Sequence, residues 1–243
     1  MLDLIPEAKK LAIPPISNFF VGAVARGTSG KLYLGANFEF PGQALSFTVH
    51  AEQAAVVQAM SAGETGLDML AVSAAPCGYC RQFLNELTTA STLQILIPDH
   101  PLALLSSLLP FAFGPTDLGV TAALMSPQSH GLTLDAPDEL AAAALAAANA
   151  SYAPYSHGYA GVALRTRDGA LYRGSLAENA AYNPSMSPFE AAIVSLVITG
   201  GKSYADIAEA VLVEVKAAPV SQAGATRAVL ASIGNIPLRV VTV

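Results

Sequence analysis

Three side chains in this sequence have the types and spacing of a catalytic zinc site. Cys77 and Cys80, the two cysteines of the chain, are three positions apart at the expected start of a helix, and His50 precedes another helix. The positive end of a helix dipole lowers thiol pKa values, which favours thiolates and therefore a soft divalent metal. One imidazole and two thiolates make three protein ligands, the number typical of a catalytic zinc that keeps a fourth position open for water.

Glu52 lies two residues after His50, too close in sequence to serve as a further ligand and well placed to move a proton at the metal. Two other interpretations remain open. A lone Cys-x-x-Cys pair could be a thioredoxin-like redox centre. A purely structural zinc would need a fourth protein ligand, and the remaining histidines, His100, His130 and His157, do not have ligand spacing.

An internal repeat provides the elements that must position these residues. Residues 17–39 align without a gap to residues 156–178, with matching glycines and a matching Leu-Tyr pair. Each segment predicts a β-hairpin, with its turn at Ser29-Gly30 in the first copy and at Asp168-Gly169 in the second. A helix, a strand, a second helix and a final strand follow in both copies. We therefore expect an α/β fold made of two copies of one unit.

The repeat also predicts where the domains divide. We expect a catalytic domain over 1–119, a linker over 120–134 and a second domain over 135–243. The second domain should open with a helix over residues 138–149, which are rich in Ala and Leu. Asp135 is the expected N-terminal cap of this helix.

Composition excludes several classes of protein. Of the 243 residues, 53% are hydrophobic and 12% charged, which excludes a disordered chain. The net charge of −6 and the lack of a basic run argue against a nucleic acid polymer as partner. No apolar run is long enough to span a membrane, and no signal peptide is evident at the N-terminus. Two cysteines used as metal ligands suit a reducing compartment, so we expect a cytoplasmic protein.

The motifs together resemble those of a known family. His50-Ala51-Glu52 followed by Pro76-Cys77-Gly78-Tyr79-Cys80 matches the H-x-E and P-C-x-x-C signature of zinc nucleobase deaminases. The sequence is similar to cytidine deaminases of the homodimeric type, in which a degenerate copy follows the catalytic domain. The similar segments are SNFFVGA (17–23), GANFEF (35–40), TVHAEQAA (48–55), PCGYCRQFLNEL (76–87), LLPFAFGPTDL (108–118) and GSLAENAAYNP (174–184).

This resemblance implies both fold and activity. The fold would be two tandem three-layer α/β/α units with mixed sheets, the second degenerate, and the chain would form a homodimer. The activity would be the hydrolytic deamination of cytidine and 2′-deoxycytidine to uridine and 2′-deoxyuridine in pyrimidine salvage. One Zn²⁺ per chain would be held by His50, Cys77 and Cys80. Zinc-activated water would attack C4 of the base, and Glu52 would act as the proton shuttle.

The resemblance also implies a set of substrate-binding residues. Asn37 and Glu39 would hold the ribose hydroxyls, and alternation along a strand sends both side chains to one side. Because a carboxylate repels phosphate, this pair favours a free nucleoside over a nucleotide. Phe19 would pack on the pyrimidine, and Phe113 would reach the site across the dimer, although both could simply belong to the core. Two further expected contacts are the backbone at Ala51 and at Ala75.

The second copy is expected to lack a metal site. The positions matched to the three ligands hold Pro188, Val220 and Ala223, while Glu190 persists as the counterpart of Glu52. This copy would then act as a scaffold that covers the catalytic copy and builds the dimer.

Two alternative functions keep the zinc site. The chain could be a zinc deaminase that acts on another base or on a nucleoside analogue. It could also be a non-catalytic, zinc-containing binding protein, although such a protein would have no need of Glu52.

Overall fold

Two mixed sheets covered by helices make up the α/β fold that the repeat predicts. The structure is a computed structural model that describes residues 1–243. The chain divides into two compact units. The first comprises Met1–Glu39, Thr48–Ser126 and Glu178–Ser185, and the second comprises Phe40–Phe47, Pro127–Ala177 and Met186–Val243.

The first unit contains a five-stranded sheet. Its elements are α1 (Ile5–Lys9), β1 (Gly22–Gly27), β2 (Leu32–Ala36), α2 (Ala51–Ser61), β3 (Leu67–Val72), α3 (Gly78–Leu84), β4 (Gln94–Leu96), β5 (Ala103–Leu104) and α4 (Leu105–Leu108). The strand order is β2-β1-β3-β4-β5. β1 is antiparallel to both of its neighbours, whereas β3 and β4 run parallel. The predicted hairpin is therefore the edge of a mixed sheet.

The second unit repeats this arrangement with four strands. Its elements are α5 (Glu139–Asn149), β6 (Ala160–Thr166), β7 (Leu171–Ser175), α6 (Pro188–Val194), β8 (Ile207–Glu214), α7 (Ala223–Ile233) and β9 (Leu238–Thr242). The strand order is β7-β6-β8-β9, with β8 and β9 parallel. The order of hairpin, helix, strand, helix and strand thus occurs twice, as the sequence predicts. No helix in the structure has the length and apolarity needed to cross a bilayer.

Glycines show that helices cover both faces of the first sheet. A Cβ on Gly22 would come within 2.8 Å of the Ile5 carbonyl oxygen in α1, and one on Gly35 would overlap the Ala51 carbonyl oxygen at the start of α2. Gly35 pairs with Ala23, the residue after Gly22. Because successive residues of a strand face opposite sides, α1 and α2 lie on opposite faces and the unit has three layers.

The second sheet is layered in the same way. A Cβ on Gly161 would overlap the backbone of Ala148 in α5, and one on Gly174 would overlap the backbone of Ala192 in α6. Gly174 pairs with Val162, which follows Gly161, so α5 and α6 also cover opposite faces. Both units therefore have the predicted three-layer α/β/α form.

The start of α5 differs from the expectation at one position. Asp138, not Asp135, is the N-cap, and its side chain accepts a hydrogen bond of 2.8 Å from the Ala141 N–H. The helix begins at Glu139, so Asp135 lies before the capping position and too early to reach a free N–H of the first turn.

Candidate metal centre and substrate cavity

Two helix N-termini carry the candidate zinc ligands. His50 is the N-cap of α2, and Cys77 is the N-cap of α3, where its Sγ accepts a hydrogen bond from the Cys80 N–H at 3.5 Å. Cys80 lies one turn later, in α3, and is buried, while Cys77 is exposed. Both N-caps have extended backbone. His50 and Cys77 therefore lie at helix ends where free N–H groups favour negative charge.

The three ligand atoms are close enough to share one metal ion. His50 Nδ1 lies 3.6 Å from Cys77 Sγ and 3.2 Å from Cys80 Sγ, and the two sulfurs are 3.6 Å apart. Tetrahedral zinc, with Zn–S of about 2.3 Å and Zn–N of about 2.1 Å, places such atoms about 3.5–3.8 Å apart. Two of the three separations match, and the one between His50 and Cys80 is shorter by a few tenths of an ångström. The cluster therefore fits zinc. A redox pair alone gives no reason for an imidazole nitrogen beside both sulfurs.

The two thiols differ in acidity. The hydrogen bond with Cys80 lowers the pKa of Cys77 to about 5, helped by backbone N–H groups and by His50 and opposed by partial burial. The same hydrogen bond and burial raise the pKa of Cys80. The low pKa of Cys77 favours its thiolate, and the raised pKa of Cys80 favours its thiol. Zinc binding would therefore displace the proton of Cys80.

Glu52 is placed beside these ligands by the first turn of α2. The side chain is only 4% exposed, and burial raises the pKa of its carboxyl group. It also hydrogen-bonds to the Cys80 side chain. A carboxyl group that takes up a proton more readily than usual, at the edge of a metal cluster, has the properties of a general acid and base.

One cavity joins the metal cluster to most of the predicted substrate residues. Its volume of about 310 Å³ suits a small molecule. The lining residues are Ser17, Phe19, Val21, Asn37, Glu39, Thr48, His50, Ala51, Glu52, Ala74, Ala75 and Cys77. Phe113 is not among them. Its carbonyl oxygen accepts hydrogen bonds from the side chains of Gln82 and Asn85, and its ring is 44% exposed.

Comparisons with known proteins agree with this geometry. The family described as "Cytidine and deoxycytidylate deaminase zinc-binding region" matches residues 1–95 and again 105–227. A cytidine deaminase of Aeromonas hydrophila is 52% identical over 98% of this chain and 80% of its own length. One from Photorhabdus laumondii is 49% identical over 95% of this chain and 78% of its own. The chain belongs to the cytidine deaminase family.

Solved structures of family members align with about half of the chain. Cytidine deaminase from Mycobacterium tuberculosis is 36% identical, covering 46% of this chain and 97% of its own, with a TM-score of 0.41. The enzyme from Burkholderia pseudomallei is 30% identical, covering 46% of this chain and 94% of its own, also with a TM-score of 0.41. The zinc-binding family and the His-Cys-Cys cluster together support one Zn²⁺ per chain.

Glu39 of this deaminase family member is anchored from the N-terminal segment. Its carboxylate accepts hydrogen bonds from the Ile16 N–H at 2.8 Å, the Ser17 N–H at 3.0 Å and the Ser17 hydroxyl at 2.5 Å. Burial acts to raise the pKa of Glu39, but these three donors outweigh it and hold the pKa below its ordinary value. A carboxylate can accept about four hydrogen bonds, so one acceptor position remains for a ligand.

Asn37 is fixed by the segment that leads into β1. Its Oδ1 accepts a hydrogen bond of 2.9 Å from the Val21 N–H, and its Nδ2 donates one of 2.9 Å to the Phe19 carbonyl oxygen. Each end of the amide keeps one further bonding position. The 59% exposed side chain of Phe19 contradicts the alternative that it is a core residue.

Two further residues support the site, and the sequence motifs do not indicate their roles. Ser17 orients Glu39, and its counterpart Ser156 in the repeat was the available signal. Tyr79 stacks on the His50 ring at a centroid distance of 5.3 Å. The position of Tyr79 inside the Cys-x-x-Cys motif does not indicate this stacking, because His50 is distant in sequence.

The structure corrects the match between the repeats at the metal site. His50 is the N-cap of α2 and Ser187 is the N-cap of α6, so the counterpart of His50 is Ser187 and not Pro188. By the same register Glu190 corresponds to Gln53 and not to Glu52. The sequence comparison was one residue out of register, since it aligned the two glutamates.

The turn before α7 is stabilised without a metal. Glu214, at the end of β8, accepts hydrogen bonds of 2.8 Å from the Ser221 hydroxyl and 2.8 Å from the Gln222 N–H. A carboxylate here fixes the turn that corresponds to the Pro-Cys turn before α3.

Proposed function

We propose that this chain deaminates cytidine and 2′-deoxycytidine hydrolytically to uridine and 2′-deoxyuridine, with release of ammonia, in pyrimidine salvage. The observation that carries the proposal is the shared cavity, in which the metal cluster, a buried carboxyl group and two sugar-binding candidates lie together. The relatives at about 50% identity are themselves cytidine deaminases.

The metal centre would consist of His50, Cys77 and Cys80. Zinc bound there supplies a Lewis acid that lowers the pKa of water in its open fourth position. Glu52 would take one proton from the attacking water and deliver it to N3 of the pyrimidine. It would then take the proton of the hydroxyl group added at C4 and deliver it to the departing amine, so that cytidine and water give uridine and ammonia. The raised pKa of Glu52, due to burial, supports this role because the group must hold a proton between these transfers.

Substrate recognition would divide between sugar and base. The remaining acceptor position of Glu39 and the free positions of Asn37 would bind the ribose hydroxyls. A carboxylate held ionised beside the sugar disfavours a 5′-phosphate, so a nucleoside is preferred over a nucleotide. Phe19 would pack on the base, while Ala51 and Ala75 would contact its polar edge.

Several wider features belong to the same proposal. The chain would act as a cytoplasmic homodimer in which Phe113 approaches the partner's cavity; its exposed ring supports this, and sedimentation equilibrium would test the dimer. The sequence domains would be 1–119 and 135–243, joined by 120–134.

One assay tests the function directly. The zinc-loaded chain is incubated with cytidine, deoxycytidine, dCMP and cytosine, and ammonia release is followed. We expect turnover of the two nucleosides and little of dCMP or cytosine. Glu52→Gln should reduce kcat by about 10²–10⁴-fold, the usual contribution of a positioned acid and base. Absence of turnover, or full activity of Glu52→Gln, would contradict the proposal.

A further inference from the structure

Gln53 links the backbone of a zinc ligand to a segment from the second repeat. Its side chain is 2% exposed and hydrogen-bonded at both ends of the amide. Oε1 accepts a bond of 3.2 Å from the His50 N–H, and Nε2 donates one of 3.1 Å to the Pro184 carbonyl oxygen. Neither bond is needed for the deamination chemistry itself, so the mechanism leaves this buried amide unexplained.

Pro184 belongs to the 178–185 segment (Glu178–Ser185), which is part of the first unit although it follows β7 in sequence. Three further bonds attach this segment to α3 and the turn after it. Asn179 Nδ2 donates to the Gln82 carbonyl oxygen at 3.0 Å, Gln82 Nε2 donates to Asn179 Oδ1 at 3.5 Å, and the Ala180 N–H donates to Glu86 Oε2 at 2.9 Å. The segment thus contacts both ligand-bearing regions, and the bond from Gln53 joins it to α2.

The second repeat contains a matched position without a metal. Glu190, the counterpart of Gln53, accepts a hydrogen bond of 2.8 Å from the Ser187 N–H, the counterpart of His50. Both units therefore cap the helix with the third residue after the N-cap. Glu190 accepts this bond through a carboxylate oxygen, whereas the amide of Gln53 accepts one bond and donates another at once. The metal-bearing unit is the one whose capping residue also holds a second segment.

We propose that Gln53 is a positioning residue of the metal centre, which ties His50 to the 178–185 segment and thereby slows the loss of zinc. The proposal rests on the proposed zinc ligands. Groups that orient metal ligands from outside the coordination sphere commonly change metal affinity by about 10–100-fold when removed. The bonds of Gln53 act on the backbone of His50, the residue whose imidazole must meet two sulfurs on another helix.

Zinc release from matched variants tests this proposal. Gln53→Met and Glu190→Met each remove one capping side chain at similar volume, and each protein is loaded with zinc and mixed with excess chromogenic chelator. We expect zinc release from Gln53→Met to be about tenfold faster or more, and release from Glu190→Met to stay within about twofold of the natural chain. An unchanged rate for Gln53→Met, or equal acceleration by Glu190→Met, would overturn the proposal.

This readout is independent of the proposed activity, because a natural chain that retains zinc but makes no uridine would refute deamination alone. Steady-state kinetics provide a second readout. Gln53→Met should lower kcat for cytidine more than it changes KM.

A measurement on the natural chain covers the case in which Gln53→Met does not fold. Linkage between binding free energies is reciprocal, so a segment whose attachment strengthens zinc binding must itself be stabilised by zinc. Hydrogen exchange followed by mass spectrometry should show faster exchange in the 178–185 segment after zinc removal, and unchanged exchange in the hairpin Ala160–Ser175. Equal protection of the segment with and without zinc would overturn the proposal.

Discussion

At the scale of single residues, Glu39 is prepared for a ligand by the residues around it. Three donors from Ile16 and Ser17 fix both carboxylate oxygens and lower the pKa of Glu39. In the proposed role the side chain is oriented before the sugar binds, which would reduce the entropy lost on binding. A hydrogen bond between this carboxylate and a sugar hydroxyl should then contribute strongly, because one partner is charged.

Glu39→Gln should therefore reduce kcat/KM for cytidine by about 10–100-fold, the usual effect of losing a hydrogen bond to a charged group. Steady-state kinetics on cytidine measure the effect, with circular dichroism as the folding control. Any residual activity on free cytosine, which has no ribose, should be unchanged. Equal losses on both substrates would show that Glu39 does not act through the sugar.

The ligand set could be predicted from sequence, because its spacing is local. Cys77 and Cys80 are held within one helical turn, and His50 and Glu52 within another. The bonds from Ser17 to Glu39 span 22 residues and depend on how the N-terminal segment crosses the end of β2, which no local pattern encodes.

At the scale of elements, α2 and its counterpart α6 each approach a strand closely at a glycine. A Cβ on Gly35 would overlap Ala51 and Ala55 of α2, and a Cβ on Gly174 would overlap the equivalent turn of α6. The start of α2 also positions the metal ligand that precedes it, so its distance from β2 should affect the site as well as stability.

Gly35→Ala and Gly174→Ala are a matched pair of substitutions. Each should lower the free energy of unfolding by about 1–3 kcal/mol, the usual cost of overpacking, as measured by urea denaturation. Only Gly35→Ala should also lower the zinc content after dialysis. Equal zinc content in both variants would contradict the dependence of the metal site on the β2–α2 contact.

The N-terminus of α6 predicts a pH-dependent stability. Burial raises the pKa of Glu190 to about 7, despite its hydrogen bonds with Ser187. The pKa of Glu190 is higher in the folded chain than its ordinary value of 4.5 in the unfolded chain. The protonated group therefore contributes its full stability below about pH 4.5, and this stability is lost as the pH rises through 7. The free energy of unfolding should fall by up to about 3 kcal/mol from pH 5 to pH 8.

Glu190→Gln isolates this effect, since other groups titrate in both proteins. The difference in unfolding free energy between natural chain and variant should change by that amount over the same pH range. A pH-independent difference would show that Glu190 does not titrate in the folded chain.

The order of elements followed from the repeat, because turns at Gly30 and Gly169 and the alternating runs are local signals. The residue-by-residue match of α2 with α6 did not follow from the repeat, because it is set by the contacts of each helix with its strand. The misplacement of Asp135 as the cap of α5 has a similar origin, since two nearby aspartates offered the same chemistry and only the backbone distinguishes them.

At the scale of the whole molecule, one of the two copies of the fold carries the cluster of metal ligands. The three ligand types meet in the first unit. In the second unit, Ser187 occupies the N-cap position that His50 occupies in the first unit. Glu214 fixes the turn before α7, which corresponds to the Pro-Cys turn before α3. The equivalent connecting segments, Phe40–Phe47 and Glu178–Ser185, each belong to the unit of the opposite repeat. Sequence similarity could not predict that exchange, because both segments align with the copy from which they come.

A zinc titration tests the central claim most directly. Metal-free chain is supplied with increasing zinc, and the rate of uridine formation from cytidine is measured at each ratio. We expect a rate that rises linearly to one zinc ion per chain and then stays constant. A chain that forms no uridine at one zinc, or that needs a second equivalent for full activity, would contradict it.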